Sequence, residues 1–115
     1  MKIWVDDIRP APHGYVWCRS VDETKNIIVQ ANADLCKSHR EGHLDMSLYI
    51  EEISLDHDAG DYFSQGGDYI RILDWLEWLY QGQRCFIEFH LHSQNPVGVQ
   101  NMRRIIEKNK WIEKR

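Results

Sequence analysis

The sequence predicts an α/β fold: a three-layer sandwich in which a mainly parallel four-stranded sheet lies between flanking helices. Three observations predict it. Short β-prone runs alternate with segments of helical period, the order that yields parallel sheets with crossover helices on both faces. Three of the runs end in polar clusters, Asp6-Asp7, Asp56-His57-Asp58 and His90-Leu91-His92-Ser93, and the carboxyl edge of such a sheet is where it carries its chemistry. Finally, a chain of 115 residues with five tryptophans fits one packed domain, with no room for a second.

In chain order, Lys2–Val5 is the first β-prone run, with Asp6 and Asp7 at its carboxyl end. Ile8 to Gly14 holds Pro10, Pro12 and a glycine, which exclude a helix there. Tyr15–Arg19 is β-prone again. Ser20-Val21-Asp22-Glu23 fits a capping box, and the helix it opens runs to about Ala33 with Val21, Ile27, Ile28 and Ala31 on one side. Asp34 to Ser47, with His39 and His43, reads as a polar surface connection. Ser47–Leu55 is the third strand, and the glycine-bearing stretch Ala59–Gly67 a loop beside the presumed site. Asp68 is placed to cap a helix in which Tyr69, Ile72, Leu73, Leu76, Leu79 and Tyr80 recur at helical spacing, with Gly82 at its end. Arg84–Leu91 is the fourth strand. Pro96 starts a last helix with Met102, Ile105 and Ile106 as its apolar stripe. Residues 110–115 form a loosely attached tail with Trp111 as its anchor.

Composition narrows the function classes. A formal charge of −4 argues against an extended nucleic-acid surface, which needs a basic face, while leaving room for one nucleotide or one RNA end. No apolar run approaches the roughly 18–20 residues that span a bilayer. The two early acids are unlike a secretory signal. Three cysteines without CxxC spacing read as reduced thiols, so a cytoplasmic location is expected.

Asp6, Asp7 and Asp56, with Asp58 as a further candidate, form a carboxylate group of the kind that holds Mg²⁺ or Mn²⁺. For either acid pair alone, the competing explanation is a turn or helix cap. His90 and His92 alternate on a strand and share a face with Glu88. A zinc site from both imidazoles is one option. The expectation taken here is that His90 is structural and His92, nearer the strand end, exchanges protons near neutral pH. Ser93 and Asn95 sit at a helix start with Gly98 beyond, an arrangement suited either to a phosphate or to simple capping. Arg9 is a candidate phosphate fork, or else the partner of Asp58, Asp6 or Asp7.

Taken together, Asp6-Asp7-Ile8-Arg9-Pro10-Ala11-Pro12, Ser54-Leu55-Asp56-His57-Asp58 and His92-Ser93-Gln94-Asn95-Pro96-Val97-Gly98 with Asn101-Met102 resemble the cyclic-phosphate-processing receiver-like family. That family is a divergent branch of the response-regulator receiver (flavodoxin/CheY-like) fold, common in bacteria and phages. The resemblance runs from residue 2 to about 108. It implies that Asp6, Asp7 and Asp56 hold Mg²⁺ or Mn²⁺ and that Ser93 is the hydroxyl residue after the fourth strand. The chain departs from ordinary receivers by its proline-rich segment in place of the first helix, by the added His57, Asp58 and His92, and by lacking a recognisable fifth strand with a lysine. An aspartyl-phosphate switch is therefore disfavoured. The expectation is a metal-dependent phosphoesterase acting on a cyclic phosphate of a nucleotide or RNA end. His92, His57 and Asp58 would be its catalytic groups, and Arg9, Ser93 and Asn95 its substrate contacts. The alternative is a non-enzymatic receiver-like module that binds a phosphorylated ligand or partner protein.

Overall fold

The computed structural model describes all residues, Met1–Arg115. One sheet holds five strands: β1 (Lys2–Val5), β2 (Tyr15–Cys18), β3 (Glu52–Leu55), β4 (Glu88–Leu91) and β5 (Ile112–Glu113). Their order is β2-β1-β3-β4-β5, and each pairing is parallel. Helices α1 (Val21–Arg40), α2 (Ile70–Tyr80) and α3 (Pro96–Lys108) connect them. No helix is long and apolar enough to cross a membrane.

The parallel sheet and its alternation with helices are as expected, but the strands number five rather than four and the helices lie on one face of the sheet rather than two. Crossovers between parallel strands are right-handed, so the direction of each step across the sheet decides which face its connection covers. The steps β2 to β3, β3 to β4 and β4 to β5 all go the same way and all carry a helix. Accordingly, α1 lies beside α2, and α2 beside α3, in one layer. Only the step from β1 to β2 goes the other way, and its proline-rich connection cannot be helical. The second face therefore lacks a helical cover.

Strand side chains follow this asymmetry. Ile3, Val5, Ile53, Leu55 and Phe89 are buried against Ile28, Ile72, Leu76, Met102 and Ile106 from the helices. The opposite face presents Lys2, Trp4, Tyr15, Trp17, Glu52, Ser54, Glu88 and His90. The β1–β2 connection is pinned at this face by two indoles: Trp4 Nε1 donates to the Arg9 carbonyl at 2.9 Å and Trp17 Nε1 to the Asp6 carbonyl at 2.8 Å.

Several boundaries move. Helix α1 begins at the expected capping box, with Glu23 N–H on Ser20 Oγ at 3.0 Å, but it runs on to Arg40. Nothing before Gly42 (φ +84°) breaks it, and Lys37, His39 and Arg40 suit its carboxyl end. Strand β3 is shorter than Ser47–Leu55 because Asp45 Oδ1 accepts from Ser47 N and closes a 3₁₀ turn over Met46–Leu48. Strand β4 likewise starts at Glu88 rather than Arg84. Asp68 does not cap α2. Its Oδ1 accepts from the Ala59 backbone N–H at 3.0 Å, and Tyr69 stands at the cap position without a side-chain bond.

The expected loose tail is an edge strand. Trp111 is buried and stacks on Phe89 at 5.2 Å between ring centroids. Lys114 N–H donates to the Phe89 carbonyl, Arg103 grips Glu113 through three hydrogen bonds, and Lys114 Nζ lies 3.1 Å from Glu52. This lysine thus points to the amino end of β3, away from the acidic cluster at the carboxyl edge.

Candidate functional site

The carboxyl ends of β1 and β3 bring Asp6, Asp7 and Asp56 together. One oxygen from each lies within 4.8 Å of those from the other two. Asp6 and Asp56 are buried, and strand bonding continues past both, from Asp6 N to the Cys18 carbonyl at 3.1 Å and from Asp56 N to the Val5 carbonyl at 2.9 Å. Asp6 divides its oxygens. Oδ1 accepts from the Ile8 and Arg9 N–H groups at 2.9 and 2.8 Å, while Oδ2 faces His92 Nε2 at 3.0 Å and Arg9 Nε at 3.6 Å. Burial pushes the Asp6 carboxyl up, but the backbone donors, the His92 ring N–H and the Arg9 charge together outweigh it and hold Asp6 below its ordinary value. Asp7 goes the other way, raised by burial and by the like charges of Asp6, Asp56 and Asp61. Three close carboxylates served by one guanidinium make an all-oxygen donor set that fits a hard divalent cation.

Glycine permits the closest approach to this cluster. A Cβ on Gly60, at φ +54°, would stand 2.3 Å from Asp7 Oδ2. The turn from Gly60 to Tyr62 therefore closes over Asp7 only with a bare Cα.

Arg9 is held inside the site. Besides Asp6, it lies 4.0 Å from Asp56 Oδ2 and donates to the His92 carbonyl at 3.1 Å. Of the partners considered for it, Asp6 is the one found and Asp58 is not.

His92 is more enclosed than its place near a strand end implies. Its ring stacks on Trp4 with 3.8 Å between centroids and 2° between planes. Nε2 bonds Asp6 and Nδ1 bonds Ser54 Oγ at 2.8 Å, and Ser54 Oγ is also 2.8 Å from His90 Nδ1. Burial pushes the His92 pKa down, against the pull of Asp6. A neutral His92 that donates from Nε2 to ionised Asp6 must accept at Nδ1, so the Ser54 hydroxyl points to it. Ser54 then has only its lone pairs left for His90, which donates from Nδ1. The chain is directed: His90 to Ser54 to His92 to Asp6. His90 is thus bonded to Ser54 within the chain, and neither group of side chains close enough to hold an ion includes the two imidazoles. Replacing Ser54 with Ala strands two imidazole nitrogens. We expect a loss of about 1–3 kcal/mol in urea denaturation, together with a changed Nδ1 signal for His92 in nitrogen NMR.

On the other flank, His57 Nδ1 bonds Asp58 Oδ1 at 2.9 Å, leaving Nε2 without a partner in the chain. This pair holds Asp58 below the usual carboxylate range, with Asn95 adding to the effect. The His57 ring rests on the start of α3, where a Cβ on Gly98 would come within 2.4 Å of its Cγ. Asn95 serves both sides. Its Oδ1 caps the helix at Gly98 N (3.0 Å), while its Nδ2 reaches Asp58 Oδ2 at 3.3 Å. Ser93 Oγ accepts from Asn95 N at 3.1 Å and so shapes the same turn. His57, Asp58 and Asp68 also place ligand atoms within 4.8 Å of one another.

The structure therefore gathers all nine residues singled out from the sequence along one sheet edge. Ser54, Trp4 and Gly60 also shape this edge, and none of the three has an individual role there in the sequence analysis. Ser54 had a signal: a lone hydroxyl between Ile53 and Leu55 in an apolar strand.

Over residues 1–108 the chain matches the family of cyclic-phosphate processing receiver domains. No curated protein and no solved structure matches it. It belongs to that family, whose receiver-type fold agrees with the parallel five-stranded sheet described above.

Proposed function

We propose that this receiver domain is a metal-dependent phosphoesterase that opens or removes a cyclic phosphate on a nucleotide or RNA end. The observation that carries the reading is the trio Asp6, Asp7 and Asp56, beside a histidine–aspartate pair with a free ring nitrogen. Mg²⁺ or Mn²⁺ held by the trio would polarise the phosphoryl oxygens and make bound water more acidic.

In the reaction water adds at phosphorus, one ring P–O bond breaks, and the released ribose oxygen takes a proton to leave a phosphomonoester. His57 moves that proton at Nε2, while Asp58 fixes its tautomer through Nδ1. His92 has both nitrogens committed and acts as a positioning residue for Asp6. Arg9 neutralises part of the trio's charge, and its remaining N–H groups face the phosphate. Ser93 and Asn95 set the turn that carries the far side of the pocket.

One observation favours the alternative of a binding module without turnover: Arg9 and His92 are both bonded within the chain. Incubation with 2′,3′-cyclic nucleotides and Mn²⁺ separates the two. The esterase reading expects metal-dependent release of a nucleoside monophosphate, and ligand retained without product overturns it in favour of binding alone.

A further inference from the structure

We propose that Arg19 contacts the phosphate linking the terminal nucleotide to its 5′ neighbour, so that the favoured ligand is an oligonucleotide end rather than a mononucleotide. This rests on the reading above, that the acidic trio receives the terminal cyclic phosphate. Arg19 directly follows β2, whose last residue pairs with Asp6 through the Asp6 N–H to Cys18 carbonyl bond. Its guanidinium carbon lies 3.9 Å from the centroid of the Trp17 ring, and Nη1 donates to Tyr62 Oη at 3.2 Å. Tyr62 ends the turn that closes over Asp7 at Gly60. Arg19 is thus fixed beside the pocket by an indole face and a phenol.

Its charge is unmatched. Arg9 is neutralised by Asp6 and Asp56, whereas the Arg19 side chain makes no ion pair within the chain. The adjacent Glu23 carboxylate bonds the Arg19 backbone N–H at 3.0 Å instead. The start of α1 offers no substitute, because Ser20 Oγ and the Gln65 carbonyl already accept from Glu23 N and Asp22 N. An anion at this corner therefore meets the side chain itself. A guanidinium has five N–H donors in a planar fork matched to phosphate oxygens, and one of them is used. Stacking on Trp17 pre-orders the group, which lowers the entropy lost on binding.

Spacing favours the linking phosphate. Asp56 directly follows β3 and Arg19 directly follows β2, with β1 between them, so their backbones stand roughly 9–10 Å apart across the sheet. That is further than one phosphate group spans and suits a second phosphate along the chain. A single such contact also agrees with a net charge of −4, which favours a short end over a long groove.

Calorimetry with Mg²⁺ tests this using two probes: adenosine 2′,3′-cyclic phosphate, and a diadenosine dinucleotide carrying the same cyclic group at its 3′ end. For the wild type we expect about tenfold tighter binding of the dinucleotide, the worth of a charge-assisted hydrogen bond to phosphate. Arg19→Ala and Arg19→Gln should remove that advantage and leave the mononucleotide within about twofold, while Arg19→Lys restores part of it. Equal weakening of both probes, or a wild type that does not discriminate, overturns the assignment while the proposed function stands. A wild type that binds neither probe overturns both. Matched melting temperatures among the variants exclude a folding effect.

Discussion

Asp56→Asn is expected to abolish divalent-cation binding in calorimetry and to lower cyclic-phosphate turnover by about a hundredfold or more, the scale on which removing one charged contact to a developing phosphoryl charge acts. Asp56 is the cleanest of the three acids to test. Asp6 also holds the β1–β2 connection through Ile8 N and Arg9 N and bonds His92, so its removal mixes folding with chemistry. Asp56 accepts only from its neighbour's backbone, His57 N at 2.8 Å, and an asparagine oxygen retains that bond. A second readout needs no turnover. The Asp7 pKa is raised partly by the Asp56 charge, so the substitution should move Asp7 back toward the ordinary carboxylate range in an NMR titration. Retained metal affinity, or an unmoved Asp7, would remove Asp56 from the cluster's function.

Trp111→Ala is expected to cost about 3–5 kcal/mol in chemical denaturation, the range for truncating a large buried aromatic. That is a large share of a typical stability of about 5–15 kcal/mol. Trp111 holds β5 to the sheet from the core side by stacking on Phe89. Its loss should also expose the amides of residues 112–114 to hydrogen exchange, because the strand's own pairing covers only Ile112 and Glu113. A change below about 1 kcal/mol would mean that Arg103 and Lys114 suffice to hold the edge.

The elements that were legible in the sequence are those with a local cause. The Ser20–Glu23 box, the stripe of α2 and Pro96 at the start of α3 each declare themselves within a few residues. The acidic pairs are equally plain, because carboxylates after apolar strands have few reasons to be there. What was not legible depends on partners distant in the chain. Ile112 and Glu113 become a strand only when Phe89 offers its backbone and Trp111 finds the core. His92 looks available to substrate until Ser54, Trp4 and Asp6, from two other strands, close around it. The one-sided helix layer is the instructive case. Pro10 and Pro12 already exclude a helix between β1 and β2, and that is the one connection whose handedness would have covered the second face. The fact was in hand, but its consequence appears only once the strand order is known.

That bare face changes how tolerance to substitution can be interpreted. Along each strand, one residue in two fills the interior and the next does not, so sensitivity at Ile3, Ile53 or Phe89 would report packing alone. On the other face no helix waits to be packed against. Where Ser54, Trp4 or His92 resists replacement, the constraint comes from the Ser54–His92–Asp6 hydrogen bonds, the Trp4–His92 stack and the Trp4 hold on the β1–β2 connection. In this half-clad domain the parity of a strand position separates apolar packing against the helices from the polar network that orders the sheet edge.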